Sequence, residues 1–314
     1  MINTKIFLNK IFHKLNKPPQ NVLSKDSIFR MKHFDIKDYI SPVSSEIFEK
    51  TNNKIIFHTY WKGEFGRKQA FSVKSLLATQ VDYKYEVWLW LDSKDKKLNS
   101  SNKYLNELRK YIVIKYYNPK ENLLDHPFNK ILFLFEDYSN LAFRADGFRM
   151  WALSEFGGVW FDLDIMFIRN MKEFWMGSEF VYSWEKQGYA NNALIYLRKD
   201  SYTNRYLVKK VLKKHSTQPW ALFNYKDKHL KELTVFPASL FDPLWGSHGE
   251  KYIINSFEEF FDKIVDNNKI PIDVFPYSYT YHWHNLWDRE IKSKSLFSNF
   301  EKYFEKIIQA KEKI

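Results

Sequence analysis

The sequence predicts an α/β protein whose mainly parallel central sheet is flanked by helices, with helical additions at its N- and C-terminal ends. Two observations predict this class. Short apolar segments, rich in β-branched and aromatic residues, alternate with segments of helical spacing, and no internal repeat or long linker interrupts them. Strands that alternate with helices at this pitch pair in parallel, and ligands bind beyond the carboxyl ends of such strands.

The individual elements follow in order along the chain. Strands are predicted where short β-rich runs occur, at residues 54–61, 85–91, 111–117, 159–167, 179–184 and 193–197. Helices are predicted where apolar residues recur every three or four positions, at residues 67–80, 104–110, 141–156, 202–214 and 297–311. We expect residues 51–314 to form one domain that carries the function.

Residues 1–50 are predicted to be a basic helical appendage to this domain. Leu8, Ile11, Phe12 and Leu15 follow the spacing of one helix face, with lysines between them, and Pro18 then ends the helix. Such a helix either lies on an anionic membrane surface or docks on the body of the protein with its basic face in solvent. The sequence favours neither alternative.

The composition excludes several classes of protein. The 314 residues are 45% hydrophobic, which is enough to bury a core, and the absence of cysteine excludes disulfides and thiolate metal sites. No run approaches the roughly 20 apolar residues of a membrane span, and no signal peptide is recognised. We therefore expect a cytoplasmic protein, or one peripheral at the inner face of the cytoplasmic membrane. The net charge of +12 indicates an anionic partner: nucleic acid, a membrane surface or a phosphorylated substrate.

The residues that carry chemistry are predicted between 139 and 170. Asp146 and Arg149 lie three apart on the helix that ends at Gly157, so they share a face. Asp162 and Asp164 follow in the next strand, on one face and roughly 6–7 Å apart at the backbone. Because unpaired charges in an apolar run are costly, a bound Mg²⁺ or Mn²⁺ would relieve their repulsion. The alternative is a solvated strand end or a salt bridge to a lysine.

The run from Arg144 to Asp164 resembles the DXD signature of glycosyltransferases with the GT-A fold, which is Rossmann-like. It is most similar to the sugar-binding-region group (family 32), which includes capsule and lipopolysaccharide enzymes. The charged residues and the Gly-Gly pair fall at the spacing of this group throughout. Ala145, where serine is frequent, and Trp160-Phe161 depart from it without changing a charged residue. The resemblance covers roughly residues 54–290.

Two further segments agree with this resemblance. Residues 55–63 resemble the first strand of the family, which implies that Trp61, beside Tyr60, binds the nucleotide base; such stacking contributes roughly 1–3 kcal/mol. Residues 281–287 resemble the closing segment, which implies His282 near the metal or diphosphate and Trp287 in the donor site. Core packing for Trp61 and a surface position for His282 are the alternatives.

Two segments between these resemble other parts of the donor and acceptor sites. Residues 191–195 resemble a segment that places an asparagine near the donor sugar, and we prefer Asn192 over Asn191 for this role. Residues 236–243 resemble a stretch near the acceptor side.

The resemblance implies a metal-dependent, retaining transfer from a nucleotide sugar, most simply a UDP-sugar, to a bacterial surface glycan such as lipopolysaccharide or capsule, in a lipid-linked form or free. Asp164 would ligate Mn²⁺ or Mg²⁺ directly with His282, and Asp162 would hold the ribose, the sugar or the metal through water. Asp162, Asp164 and Asn192 form the predicted catalytic set. Asp146 and Arg149 would grip the donor sugar, because arginine makes directional hydrogen bonds.

Three other functions compete with this prediction. A nucleic-acid-binding protein would suit the charge, but the lysines are dispersed and no recognition motif is present, so we expect no nucleic acid partner. A glycoside hydrolase would use paired aspartates on either side of the scissile bond. A catalytically inactive, sugar-binding relative is the third alternative, and the intact aspartate pair argues mildly against it.

Overall fold

The structure is a computed structural model that describes residues 54–136, 141–184, 187–245, 252–265 and 268–313. The predicted appendage at residues 1–50 lies outside the described residues. No helix within those ranges has both the length and the apolarity of a membrane span.

Nine strands are found in the described part of the chain, in two sheets. They are β1 (Lys54–Trp61), β2 (Lys84–Asp92), β3 (Val113–Tyr117), β4 (Gly158–Phe161), β5 (Ile165–Phe167), β6 (Phe180–Ser183), β7 (Ala190–Leu197), β8 (Thr234–Phe236) and β9 (Thr280–His282). Seven of them form one sheet in the order β3-β2-β1-β4-β7-β6-β8, and β5 pairs with β9 in a second.

Helices connect and cover these strands. The described α-helices are α1 (Arg67–Thr79), α2 (Lys103–Leu108), α3 (Pro119–Asn122), α4 (Phe133–Glu136), α5 (Leu141–Phe156), α6 (Lys172–Met176), α7 (Tyr202–Lys214), α8 (Pro219–Leu222), α9 (Glu259–Asp262), α10 (Pro271–Val274) and α11 (Leu296–Lys311). Short 3₁₀ turns lie between several of them.

The large sheet is mainly parallel, as the sequence predicts. Strand β1 pairs in parallel with both β2 and β4, β2 with β3, and β6 with β8. Only β7, among the described strands of this sheet, runs antiparallel to its two neighbours β4 and β6. The predicted α/β class with a helix-covered, mainly parallel sheet is therefore confirmed.

Successive side chains of a strand point to opposite faces, and the core is accordingly in two layers. Phe57 on β1 packs edge-on against Phe161 in the layer that α1 and α11 cover. Tyr60, three residues further on, stacks on Phe148 in the layer that α5 and α7 cover. Aromatic side chains fill both layers, although a few others, such as Phe133 and Trp220, are exposed.

Most predicted boundaries agree with the structure to within one to three residues, and one prediction is wrong. Residues 159–167 do not form a single strand: β4 ends at Phe161, a turn follows, and β5 begins at Ile165 in the other sheet. The turn is closed by a hydrogen bond from the Ile165 N–H to the Asp162 carbonyl (3.1 Å). Aspartate is common in turns because its side chain tolerates and supports tight backbone.

Candidate active site

The Gly157-Gly158 pair sets the path of the chain into the site. Both residues have positive φ, +67° and +98°, as the predicted left-handed exit from the helix requires. A Cβ on Gly158 would stand 2.3 Å from the Ile56 carbonyl oxygen on the neighbouring strand β1. Only glycine therefore allows β4 to start this close to β1, and the four residues of β4 then deliver Asp162 to the carboxyl end of the sheet.

Asp162 and Asp164 lie in the turn between the two sheets, and not on one strand face as the apolar sequence pattern predicts. The Asp162 N–H still donates to the Ala193 carbonyl on β7 (2.8 Å), which fixes the start of the turn against the large sheet. The main chain of Asp164 is fixed from the other side, because its carbonyl accepts from the Trp283 N–H (3.1 Å). The turn thus holds both aspartates at the junction of the two sheets.

His282 reaches this turn because of the register of the small sheet. In the antiparallel pair of β5 and β9, Ile165 lies opposite His282, so the imidazole comes beside Asp164. The His282 Nε2 is 3.2 Å from the Asp164 Oδ2, which also accepts from the Asn285 N–H at 2.8 Å. A contact between residues so far apart in sequence is what the resemblance implies for His282.

Arg149 links Asp162 to helix α5. Its guanidinium lies 3.0 Å from the Asp162 Oδ1 and 3.3 Å from the Asp146 Oδ1, and it stacks over the ring of Trp160. The Asn192 side-chain amide donates to the same Asp146 oxygen at 2.8 Å. The structure therefore brings together four of the predicted residues, Asp146, Arg149, Asp162 and Asn192, in one network.

The electrostatics of the two aspartates differ. Burial raises the pKa of Asp162, although Arg149 opposes this, and the charge of Asp164 adds to the rise. Burial acts on Asp164 as well, but the charge and hydrogen bond of His282, together with the Asn285 N–H, outweigh it and lower the pKa. Burial alone would lower the pKa of His282, yet the surrounding carboxylates raise it to about 9.

Three residues at the site were not among the predicted ones. Asp242 pairs with His284 (Oδ2 to Nε2, 2.7 Å), and the Tyr182 hydroxyl contacts the His282 Nδ1 at 3.1 Å. The sequence contains a signal only for Asp242, an acid within the apolar run 236–243. Its distance from His282 depends on loops that periodicity cannot describe.

Trp61 and Trp287 meet at the edge of the site. Their ring centroids are 4.8 Å apart with the planes tilted by 60°, and both side chains are partly exposed. The Trp287 Nε1 donates to the Asn285 side chain (3.1 Å), whose backbone N–H binds Asp164. The two predicted donor-binding tryptophans thus lie together, one hydrogen-bonded residue away from the aspartate turn.

Tyr60 does not join this group. Its side chain is buried on the opposite face of β1 from Trp61, and its hydroxyl donates to the Asp92 Oδ2 (2.8 Å). The predicted substrate-binding role of Tyr60 does not fit this position. Adjacent residues of a strand point to opposite faces, so Tyr60 and Trp61 cannot both face one ligand.

The residues present fit a divalent cation. Asp162, Asp164 and His282 form one of two described clusters of acid and histidine side chains whose potential ligand atoms lie within 4.8 Å of one another. Protonated His282 and Arg149 are the cations that face these carboxylates, and burial together with the charge of Asp164 nevertheless raises the pKa of Asp162. With 26% of its side-chain surface exposed, Asp162 is accessible to a ligand from solvent.

The comparison with protein families agrees with this geometry. Residues 66–181 match the family described as "Glycosyltransferase sugar-binding region containing DXD motif". The matched segment includes α5, the Gly-Gly pair and the aspartate turn. The match covers less than half of the chain, and it makes this segment similar to the sugar-binding region of DXD-containing glycosyltransferases.

No curated protein matches the chain. Several solved structures are similar to it: the PaToxG glycosyltransferase (16% identity, 63% of this chain and 80% of that one, TM-score 0.43), mouse xyloside xylosyltransferase 1 (11%, 76% and 100%, 0.45) and the galactosyltransferase LgtC (12%, 82% and 95%, 0.44). All three TM-scores are below 0.5, so none of these likenesses assigns an activity.

Proposed function

We propose that this protein is a glycosyltransferase that takes its sugar from a nucleoside diphosphate donor, with UDP as the nucleotide, and that it depends on a divalent cation held by Asp162, Asp164 and His282. The observation that carries the proposal is the convergence of these three side chains at the turn between the sheets, beside Arg149 and within the sugar-binding region. A role in donor binding alone would not need two carboxylates and an imidazole with their potential ligand atoms within 4.8 Å of one another.

The ligand set favours Mn²⁺ over Mg²⁺. Mg²⁺ prefers oxygen ligands, whereas a set of two carboxylates and one imidazole suits a metal that accepts both oxygen and nitrogen. Asp162, Asp164 and His282 would hold the cation, which would supply charge neutralisation for the departing diphosphate.

The chain's own residues would orient the donor. Arg149 is buried and held by Asp146 and Asp162, and its Nε has no hydrogen-bond partner among the described residues. Because this Nε is itself buried, the guanidinium would act on the donor through Asp162, which it positions. Trp61 and Trp287 offer rings to the nucleotide base, and Asn192 fixes Asp146 and thereby the arginine.

The stereochemistry, the acceptor and the location are further parts of the proposal, and they rest on the resemblance and on charge. We propose retention of the anomeric configuration, a bacterial surface glycan as the acceptor, and action in the cytoplasm at the inner face of the membrane. The net charge of +12 would favour an anionic membrane or a phosphate-bearing acceptor. Proton NMR of the first-formed product determines the anomer, and co-sedimentation with anionic liposomes, with and without residues 1–32, tests the location.

The core of the proposal is tested by donor hydrolysis and transfer with a panel of UDP-, GDP- and CMP-sugars. The full chain is assayed with Mn²⁺, with Mg²⁺ and with EDTA, alongside Asp164→Asn. We expect a UDP-sugar to be turned over with Mn²⁺, and EDTA or Asp164→Asn to lower turnover at least about 100-fold, the scale of removing one group that stabilises transition-state charge.

Asp227→Asn provides a matched control, because Asp227 is also a partly buried acid but pairs with Lys210 away from the turn. Its turnover should equal that of the unaltered chain. Turnover that survives both EDTA and Asp164→Asn would rule out the metal-dependent function.

A further inference from the structure

His282 has two acids around it, one for each ring nitrogen. Its Nε2 faces the Asp164 Oδ2 at 3.2 Å, and its Nδ1 lies 4.0 Å from the Asp242 Oδ2. Asp242 comes from the segment after β8, so the two acids approach the imidazole from different elements. Asp242 is almost fully buried, with 1% of its side-chain surface exposed.

The surroundings hold Asp242 in place and leave it one free oxygen. Its N–H donates to the Ala238 carbonyl (2.7 Å), and the preceding carbonyl, of Phe241, accepts from the Thr280 hydroxyl on β9 (2.8 Å). The Oδ2 pairs with His284, whereas the Oδ1 is buried and has no partner among the described residues. Burying a carboxylate that is fixed in place and incompletely hydrogen-bonded costs free energy. Its presence beside His282 therefore calls for an explanation.

The backbone around His284 is strained. His284 and Asn285 are consecutive non-glycine residues with φ of +51° and +59°. Such positions cost free energy and persist only where the surroundings impose them, commonly at functional sites. Here they turn the His284 ring onto the His282 ring, with centroids 4.0 Å apart and planes 24° from parallel, and they aim the Asn285 N–H at Asp164.

A histidine that ligates a metal through one nitrogen must keep its proton on the other. That second N–H is usually held by a carboxylate, a carbonyl or another fixed acceptor, which sets both the tautomer and the ring orientation. At His282 the nitrogen away from the aspartate turn is Nδ1, and it faces the Tyr182 hydroxyl and the Asp242 carboxylate.

We propose that Asp242 is a positioning residue of the metal centre. The Tyr182 hydroxyl would accept the hydrogen bond from the His282 Nδ1–H, and the charge of Asp242 would keep the proton on that nitrogen. The lone pair of Nε2 is then directed at a cation held by Asp162 and Asp164. The inference rests on the proposed function, because it needs a cation at the aspartate turn. Asp242 itself does not touch that cation.

A second cation is the competing explanation, because Asp242, His282 and His284 also have potential ligand atoms within 4.8 Å of one another. The contacts favour the positioning role. A second ion would have to displace Tyr182 from the His282 Nδ1, and both nitrogens of that one ring would then ligate metals. It would also have to separate the 2.7 Å pair of Asp242 and His284.

The experiment is a Mn²⁺ titration of the full chain, followed by the EPR signal of free Mn²⁺, for the unaltered protein, Asp242→Asn, Tyr182→Phe, Asp164→Asn and the control Asp227→Asn. We expect one equivalent of Mn²⁺ in the unaltered protein. Asp242→Asn and Tyr182→Phe should each raise the Kd about 10- to 100-fold, the usual effect of losing a group behind a metal-bound histidine. Asp227→Asn should leave the Kd unchanged.

The tautomer supplies a readout that a merely structural role would not move. Long-range ¹H–¹⁵N NMR of the His282 ring, at a concentration of diamagnetic Mg²⁺ that saturates the unaltered protein, should show the proton on Nδ1 there. In Asp242→Asn at the same concentration, a fraction of the molecules should carry the proton on Nε2 and hold no ion. Tyr182→Phe keeps the aromatic packing, so it tests the same proton if Asp242→Asn fails to fold.

The outcomes separate the two proposals. If the unaltered protein binds no Mn²⁺, or Asp164→Asn binds it equally well, the proposed function fails and this inference fails with it. If binding needs Asp164 but is unaffected by Asp242→Asn and Tyr182→Phe, only the inference is overturned. Two equivalents that fall to one in Asp242→Asn would make Asp242 a ligand of a second ion, which also overturns it.

Discussion

Two arginines on helix α5, five residues apart, both form buried ion pairs, but the hydrogen bonding of their guanidinium groups differs. Arg144 pairs with Asp92 at 2.6 Å, its Nε donates to the Tyr60 hydroxyl, and its third nitrogen donates to the Phe135 carbonyl. Arg149 pairs with Asp146 and Asp162, but its Nε is left without a partner among the described residues.

The difference separates an ion pair in which every guanidinium nitrogen has a partner from one in which a nitrogen is left unpaired among the described residues. Burial alone would raise the pKa of Asp92, but Tyr60, the Lys94 N–H and Arg144 outweigh it, and the pKa is lowered. The pKa of Asp162 is raised, because burial and a second aspartate oppose its charge. A fully compensated pair stabilises the fold, whereas an incompletely compensated one has binding capacity left over for a substrate or an ion.

The largest expected effect is on the structural pair. Asp92→Asn leaves the Arg144 guanidinium buried without its counter-charge, so we expect the free energy of unfolding to fall by about 3–5 kcal/mol. Urea unfolding, followed by tryptophan fluorescence, measures this loss. The double variant Asp92→Asn with Arg144→Met should recover part of it, because removing both partners leaves no buried charge unpaired.

Asp162→Asn is expected to give the reverse pattern, in activity and not in stability. Turnover should fall about 100-fold, or about 2.7 kcal/mol, while the free energy of unfolding at pH 7 is unchanged or slightly higher. The sign follows from the raised pKa: folding disfavours ionised Asp162, so a neutral amide of the same shape removes that cost. A loss of stability as large as that of Asp92→Asn would show that the two pairs are equivalent.

The sequence predicts the strands and helices of the fold better than it predicts the geometry of the candidate site. Strands and helices of the first half, such as β1 and α1, follow from local periodicity, and their bounds agree closely with the structure. The Gly157-Gly158 exit follows from local chemistry too, because glycine alone tolerates positive φ at little cost.

The rest depends on contacts that no local pattern contains. The aspartate turn looks like strand in the sequence because its neighbours are apolar, yet the chain changes sheets there to pair with β9. Asp242 and Tyr182 reach His282 only through that long-range pairing. The motif predicts Tyr60 in the site only because it adjoins Trp61, and the alternation of side chains along β1 places it on the other face, where its hydroxyl donates to Asp92.

Trp61 belongs to the candidate site, as Arg149 does. Its removal should weaken donor binding without changing the affinity for the metal. Stacking on a base contributes roughly 1–3 kcal/mol, so Trp61→Ala should raise the Kd for UDP about 5- to 150-fold by calorimetry. Trp61→Phe is the matched control and should retain most of the affinity, because a ring still faces Trp287. Equal affinity in the alanine variant would place Trp61 in the fold and not in the donor site.

The smallest expected effect is on the pH dependence of stability, and it follows from the different surroundings of two buried histidines, His58 and His282. His282 faces acids, which raise its pKa, whereas burial lowers the pKa of His58 to about 3, despite its bond to the Gly157 carbonyl. His58 is therefore neutral when folded but protonates near pH 6.5 when unfolded, so its contribution to stability is present above that pH and is lost as the pH falls. Between pH 7 and pH 5.5 the expected loss is about 1 kcal/mol.

Carboxylates titrate in the same interval, so the measurement is the difference in unfolding free energy between the unaltered chain and His58→Gln at each pH. That difference should shrink by about 1 kcal/mol on acidification, because glutamine has no proton to gain. A constant difference for His58→Gln would mean that His58 gains a proton as readily in the folded protein as in the unfolded chain. The Gly157 carbonyl, at the end of α5, would then accept from a charged imidazole.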